Sequence, residues 1–418
     1  MASQKKKMGV HAAWAMAVGG MVGGGIFSVL GVVIMVAGQW AWLAFIVAGL
    51  IAAAAAYGYA ELAARYGEGG GVYSFLRREH HPRFAGTLAW ALIAGYVMTI
   101  SVYGFTFGHY LANAFSLGGW VPRFSALVAI AVLTAVNLRG VGDSAMVELV
   151  TVWGKLIVLV GLAGIGLAHW NPPALTSGIE ARPVFDAFLG AAAVFMAYEG
   201  FQLLAYDYED LREPRRTLKV ASLVAVGTVI VVYVTVALGA TMLVGASTLI
   251  EQKEVALASA GQAALGRPGF WLVTIAAAFS TMSAINATLF ATARLVRDVS
   301  GNDDLPSALE HRNRHSVPDR AVIAIGAAGG LLAAIGSLET LVAAASLMFI
   351  FTFGMVSAIA ARQRVARRWI CAAGAAGAAL AGLASLYRLA TTSPASIATL
   401  GALVGALWLV RRKRQPSD

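Results

Sequence analysis

Long apolar runs alternate with short polar breaks from residue 10 to residue 410. A helix needs about 20 mainly apolar residues to cross the hydrocarbon core of a bilayer. By that measure the pattern predicts about twelve spans, at 10–36, 40–64, 84–113, 122–138, 145–169, 184–208, 217–246, 268–296, 319–336, 339–361, 369–387 and 394–410. No stretch between them has the length or composition of a soluble domain, and none is low in complexity. The first run follows Lys5, Lys6 and Lys7, the order of a signal peptide. It continues to about Gly38 and many spans follow it, so it reads as a first membrane helix instead.

The polar breaks orient the chain. With the N-terminus inside and the breaks assigned alternately to the two sides, 25 of the 31 Lys and Arg residues fall inside. They cluster at 5–7, 65–83, 212–219, 294–320, 362–368 and 411–414, with Arg139 alone between spans four and five. Five fall outside: Arg123, Arg182, Lys253, Arg267 and Arg388. This asymmetry predicts an even number of spans with both termini cytoplasmic.

Composition agrees. The chain is 59% hydrophobic and 12% charged with a mean hydropathy of +0.74, whereas soluble domains carry about 25% charged residues. The net charge of +10 reflects inside loops and not a nucleic-acid surface. A single cysteine, Cys371, excludes an intrachain disulfide. His80 and His81 are adjacent, but no third ligand has suitable spacing, so no metal site is expected. No HExxH, GxSxG or GxxxxGK[ST] pattern is present, which argues against an enzyme and against ATP-driven transport.

Three features at membrane depth carry candidate chemistry. Span one contains Gly19-Gly20-Met21-Val22-Gly23-Gly24-Gly25-Ile26. Glycine costs about 1 kcal/mol relative to alanine in a helix interior, so the run either unwinds to expose backbone N–H groups to an anion or lets helices pack closely. Span six contains Phe195-Met196-Ala197-Tyr198-Glu199-Gly200-Phe201-Gln202, with an acid beside a glycine. Glu199 either faces a substrate amine or caps freed backbone. Span five carries Lys155 near its middle, where a lysine costs about 2.5–3.5 kcal/mol on the translocon scale. If spans 1–5 and 6–10 are two halves, the interruptions of spans one and six correspond, the pattern of an inverted-repeat transporter. Glu61 and Arg65 are expected to pair across one helical turn. His109 is expected to be a hydrogen-bonded core histidine. The charges between Asp207 and Arg216 are expected to form a salt-bridged latch.

Four stretches in order, AVGGMVGGGIFSVLG, YAELAARYGEGGGVYSFLRR, FMAYEGFQLLAYDYEDLREPRRTLKVA and FSTMSAINATLFATARLVRDVSGNDDLPSAL, resemble the amino acid–polyamine–organocation (APC) superfamily of permeases. The resemblance implies an all-α polytopic fold of about twelve helices, with a 5+5 inverted repeat (10–169 and 184–361), two additional helices (369–410), and helices 1 and 6 broken. It implies a secondary transporter of amino acids working by alternating access, with polyamine or amine transport, exchange and export as alternatives. The substrate site falls on Met21, Val22, Gly23, Gly24, Gly25 and Ile26 with Phe195, Met196, Ala197, Tyr198 and Glu199. Within it, the backbone at Gly23–Gly25 takes the substrate carboxylate. Carbonyls near Met21 and Phe195–Tyr198 take the amine, and Tyr198 acts as an aromatic gate. Members often have serine where this chain has Gly24, and an acid where it has Gln202.

Proton-coupled members can carry a span-five lysine in place of a sodium ion. The resemblance therefore casts Lys155 as the proton-coupling residue, donating to span one and to span-eight groups among Ser280, Thr281 and Ser283. A permanently charged structural lysine is the alternative. The proton is then the coupling ion in preference to sodium, with no other cofactor. The expected partners are a small amino acid or amine and the lipid bilayer, without nucleic acid, in a monomer or homodimer of the plasma (inner) membrane.

Overall fold

The computed structural model describes residues 7–67, 69, 71–79, 82–140, 145–302 and 304–392. The twelfth predicted span at 394–410, the basic cluster at 411–414, Lys5, Lys6, His80 and His81 lie outside the described residues.

The described chain is helical: α1 (Val10–Ala37), α2 (Ala41–Tyr66), α3 (Val72–Arg78), α4 (Pro82–Ala114), α5 (Val121–Leu138), α6 (Ala145–Ala168), α7 (Asp186–Ala193), α8 (Leu203–Tyr206), α9 (Pro214–Val244), α10 (Ala246–Glu251), α11 (Ala256–Ser300), α12 (Asp319–Ile335), α13 (Leu338–Arg362) and α14 (Arg368–Thr392). Among the described residues eight stretches are long and apolar enough to cross a membrane. One of them, Val10–Tyr66, contains both α1 and α2. The protein is an all-α polytopic membrane protein. α1, α2, α4, α5, α6, α9, α12 and α13 start and stop close to the predicted limits because a bilayer leaves the backbone no partner but itself, whereas α11 begins at Ala256, ahead of the predicted 268, and α14 runs on to Thr392.

Local chemistry sets the ends. Gly67 takes φ 72° to cap α2, its N–H bonding Ala63 O. Pro214 opens α9, where a missing N–H costs nothing. The Ser337 side chain caps α13 by accepting from Thr340 N.

α1 is the axis. It is buried along most of its length and packs against α6, α7, α9 and α11. α5, α6 and α14 turn large apolar side chains outward, among them Phe124, Ile157 and Leu383, as helices facing lipid do.

Two expectations are corrected. Helix 1 is not broken: α1 is continuous through Gly23, Gly24 and Gly25. Glu61 does not pair with Arg65. It meets Lys219 of α9 at 2.6 Å, while Arg65 donates to Gln363 O across the bundle. Tertiary partners replace the local one because α2 is packed between α9 and α13.

Candidate functional site

Span six is interrupted. After α7 the chain makes a 3-10 turn over Phe195–Tyr198, then Glu199 is extended at φ −67°, ψ 136°. Gly200 follows at φ +139°, a region L side chains rarely adopt, before α8 resumes. A break at membrane depth frees backbone groups that must find partners, and side chains from other helices supply them. Ser346 of α13 accepts from Met196 N at 3.1 Å and donates to Ala193 O at 2.9 Å. Tyr233 of α9 donates toward Ala197 O at 2.9 Å. Gln202 Oε1 accepts from Gly200 N at 2.8 Å.

The break lies directly on α1. A Cβ on Gly200 would fall 2.6 Å from Met21 N and 2.8 Å from Gly20 C. Gly23, Gly24 and Gly25 of α1 are each covered by a different helix. A Cβ on Gly23 would sit 2.6 Å from Ala284 Cβ of α11, and one on Gly24 2.0 Å from Tyr103 Cδ1 of α4. One on Gly25 would sit 2.4 Å from the Tyr233 hydroxyl. These contacts explain why α1 stays helical. The run is used for close approach, and unwinding would expose backbone that the helix satisfies internally. In a continuous helix the Gly23–Gly25 amides bond carbonyls four residues back, so the carboxylate site expected there is not formed in this arrangement.

The carbonyls of α1 are gripped from three sides. Lys155 Nζ of α6 donates to Gly19 O at 2.9 Å. The Tyr233 hydroxyl lies 2.7 Å from Met21 O, and Ser280 Oγ donates to Val22 O at 3.0 Å. Lys155 is 3% exposed. The lysine, span one and Ser280 of span eight thus come together. Thr281 instead bonds its own helix at Ala277 O, and Ser283 is half-buried. Val22 and Ile26 are buried on α1 beside this site.

Tyr198, the expected aromatic gate, is fully buried. Its hydroxyl donates to Phe45 O of α2 at 2.6 Å and its ring stands 5.4 Å from that of Tyr233. It anchors the break to α2. Glu199 is 1% exposed. Its Oε1 accepts from Gln202 Nε2 at 3.2 Å, and the same amide nitrogen donates to the Tyr96 hydroxyl at 3.1 Å. The capping role considered for Glu199 therefore belongs to Gln202.

Residues 8–415 match the family described as amino acid permease. The chain belongs to this family. Known relatives of this permease include the inner membrane transport protein YbaT of Escherichia coli (strain K12). It is 29% identical over 86% of this chain and 84% of its own length. The serine/threonine exchanger SteT of Bacillus subtilis (strain 168) is 24% identical over 73% of this chain and 70% of its own. The methylthioribose transporter of the same bacterium is 27% identical over 69% and 66%. The permease is an integral membrane protein of a transporter family.

Beyond the central site, His109 is hydrogen-bonded to Phe105 O at 2.8 Å, as expected of a core histidine. The latch takes a different form from the one expected. Asp207 pairs with Arg294 of α11 at 3.0 Å, and Arg216 with Glu213. The backbone ahead of α1 joins the same loop: Met8 N donates to Asp210 O at 2.9 Å and Arg212 N to Met8 O at 2.8 Å. Tyr103, Tyr233 and Ser346 are side chains around the break and α1 that the sequence reading missed. Their one signal is a hydroxyl within an otherwise apolar span.

Proposed function

We propose that this permease is a secondary active transporter of amino acids, driven by protons through Lys155. Substrate binds where the span-six break meets α1. Alternating access proceeds by movement of α1 and span six against the surrounding helices, in a twelve-span, 5+5 inverted-repeat bundle with both termini cytoplasmic. The observation that carries this reading is the buried Lys155 ammonium on Gly19 O, one turn of helix from the Ser280 contact on Val22 O. Protonated, the lysine braces α6 to α1. Deprotonated, it loses the charge that strengthens that bond, and α1 is freed to move. A single proton on Lys155 is thereby linked to a mechanical step. Neither the coupling ion nor substrate access depends on any metal ligand in this scheme.

The test uses purified protein in liposomes. Amino acid uptake is expected to follow an inward proton gradient without sodium, and Lys155→Ala is expected to lose that dependence while keeping substrate exchange. Sodium-dependent uptake by the wild type, or proton-driven uptake that survives in Lys155→Ala, would overturn the coupling assignment.

A further inference from the structure

The span-six break contains more acceptors than donors. Gln202 covers the freed Gly200 amide and directs its Nε2 to Tyr96 and to Glu199 Oε1. Glu199 is thus not required as a backbone cap for Gly200. Among the described residues no lysine, arginine or histidine forms an ion pair with it. Tyr103 stands beside the carboxyl on the α4 side. The residue is fully buried, and its hydroxyl is directed at the Glu199 carboxyl. Two α1-facing carbonyls, Met21 O and Ala197 O, converge on the single proton of the Tyr233 hydroxyl. A buried acid without a cationic partner among the described residues, a phenol oxygen beside it and two carbonyls meeting on one hydroxyl make a surface that is complementary to a group rich in N–H.

We propose that Glu199 and the Tyr103 hydroxyl receive a substrate ammonium group, making this permease selective for basic amino acids and primary amines over neutral amino acids. The proposal rests on the transporter reading above and names its substrate class. The reason is local pairing. An isolated carboxylate in a low-dielectric interior is costly until a cation pairs with it, and Lys155 is engaged on Gly19 O. A neutral amino acid holds its one ammonium next to its own carboxylate, whereas a basic amino acid or a primary amine carries an ammonium free of any carboxylate to meet Glu199. An ammonium also offers three donors, enough to reach Glu199, the Tyr103 oxygen and a backbone carbonyl together.

The experiment is ligand-induced thermal stabilisation of the purified full chain, since a ligand that binds only the folded state raises apparent stability. Lysine, ornithine and putrescine are titrated against alanine, serine and leucine. The wild type is expected to respond to the cationic set at concentrations at least ~10-fold lower than to the neutral set, a ratio of about 1.4 kcal/mol. Glu199→Gln is expected to erase that ratio while leaving the neutral responses in place, and Tyr103→Phe to reduce it by a smaller factor. Equal or stronger response of the wild type to neutral amino acids would overturn the proposal. So would a preference that persists in Glu199→Gln. A Glu199→Gln protein that changes only the pH dependence of uptake would also overturn it, assigning the acid to proton carriage. If Glu199→Gln fails to fold, Tyr103→Phe decides, and an unchanged ratio in that variant refutes the assignment. The binding preference needs no gradient. A wild type that prefers cations yet ignores the proton gradient would therefore overturn the Lys155 coupling and leave this assignment standing.

Discussion

Gly200→Ala probes the contact on which the site is built. The added methyl meets two obstacles. The backbone at φ +139° is one that L side chains rarely adopt, a strain of about 1–3 kcal/mol. The Cβ would also lie 2.6 Å from Met21 N and 2.8 Å from Gly20 C. Neither atom is the free end of a side chain, so α1 or the break must shift, at a further cost of about 1–3 kcal/mol for overpacking. The sum is about 2–6 kcal/mol. At roughly 2 °C per kcal/mol the melting temperature of the detergent-purified protein should fall by roughly 4–12 °C. Ligand binding should weaken in parallel, because the same displacement separates Glu199 and Ala197 from α1. Gly161→Ala is the control: its Cβ would meet nothing within 4 Å on an exposed face of α6. It should melt with or slightly above the wild type, since alanine is the better helix former by about 1 kcal/mol. If Gly200→Ala also melts with the wild type and binds ligand normally, the backbone-to-backbone contact does not organise the site.

Two further outcomes follow from bonded pairs. Tyr233→Phe removes the hydroxyl shared by Met21 O and Ala197 O and should cost about 1–3 kcal/mol for buried acceptors left short of a donor. Unchanged melting and ligand affinity in that variant would show that the carbonyls are served otherwise. Lys253 bonds Glu339 of α13, and this hydrogen bond holds the lysine above its ordinary pKa. The stabilisation is therefore complete below the ordinary lysine value of about 10.4 and is lost as pH rises through the raised one. Because the pair is partly exposed, it amounts to less than about 1 kcal/mol. Glu339→Gln should melt slightly below the wild type at neutral pH, and a gap that persists at strongly alkaline pH would refute the pairing.

The helices were legible because each crossing run must satisfy its own backbone, and the sequence writes that requirement as length and hydropathy. Lys155 was legible for the same reason, as the most costly residue in its span. The state of α1 was not. A glycine run is compatible with both unwinding and close packing, and the choice is made by Tyr103, Ala284 and Tyr233, which come from helices far away in the chain. The break in span six was visible in the Glu199-Gly200 pair. Its partners were not, since Ser346 is one serine among many until the fold brings it to Met196. Glu61 illustrates the same limit: spacing along one helix proposed Arg65, and packing between helices supplied Lys219.

The continuity of α1 turns it into a lever. A helix of 28 residues is a rod about 42 Å long. Lys155, Tyr233 and Ser280 hold it at Gly19, Met21 and Val22, not far from its midpoint. At one end Met8 is stitched to the Asp210–Arg212 backbone. Toward the other, Gly31 presses against the backbone of Lys253, the residue bonded to Glu339. A rigid rod held near its centre swings its two ends in opposite directions. In the transport cycle proposed above, releasing the Met8 stitch on one face would drive α1 harder against Lys253 on the other, so a single unbroken helix would keep both faces from opening at once.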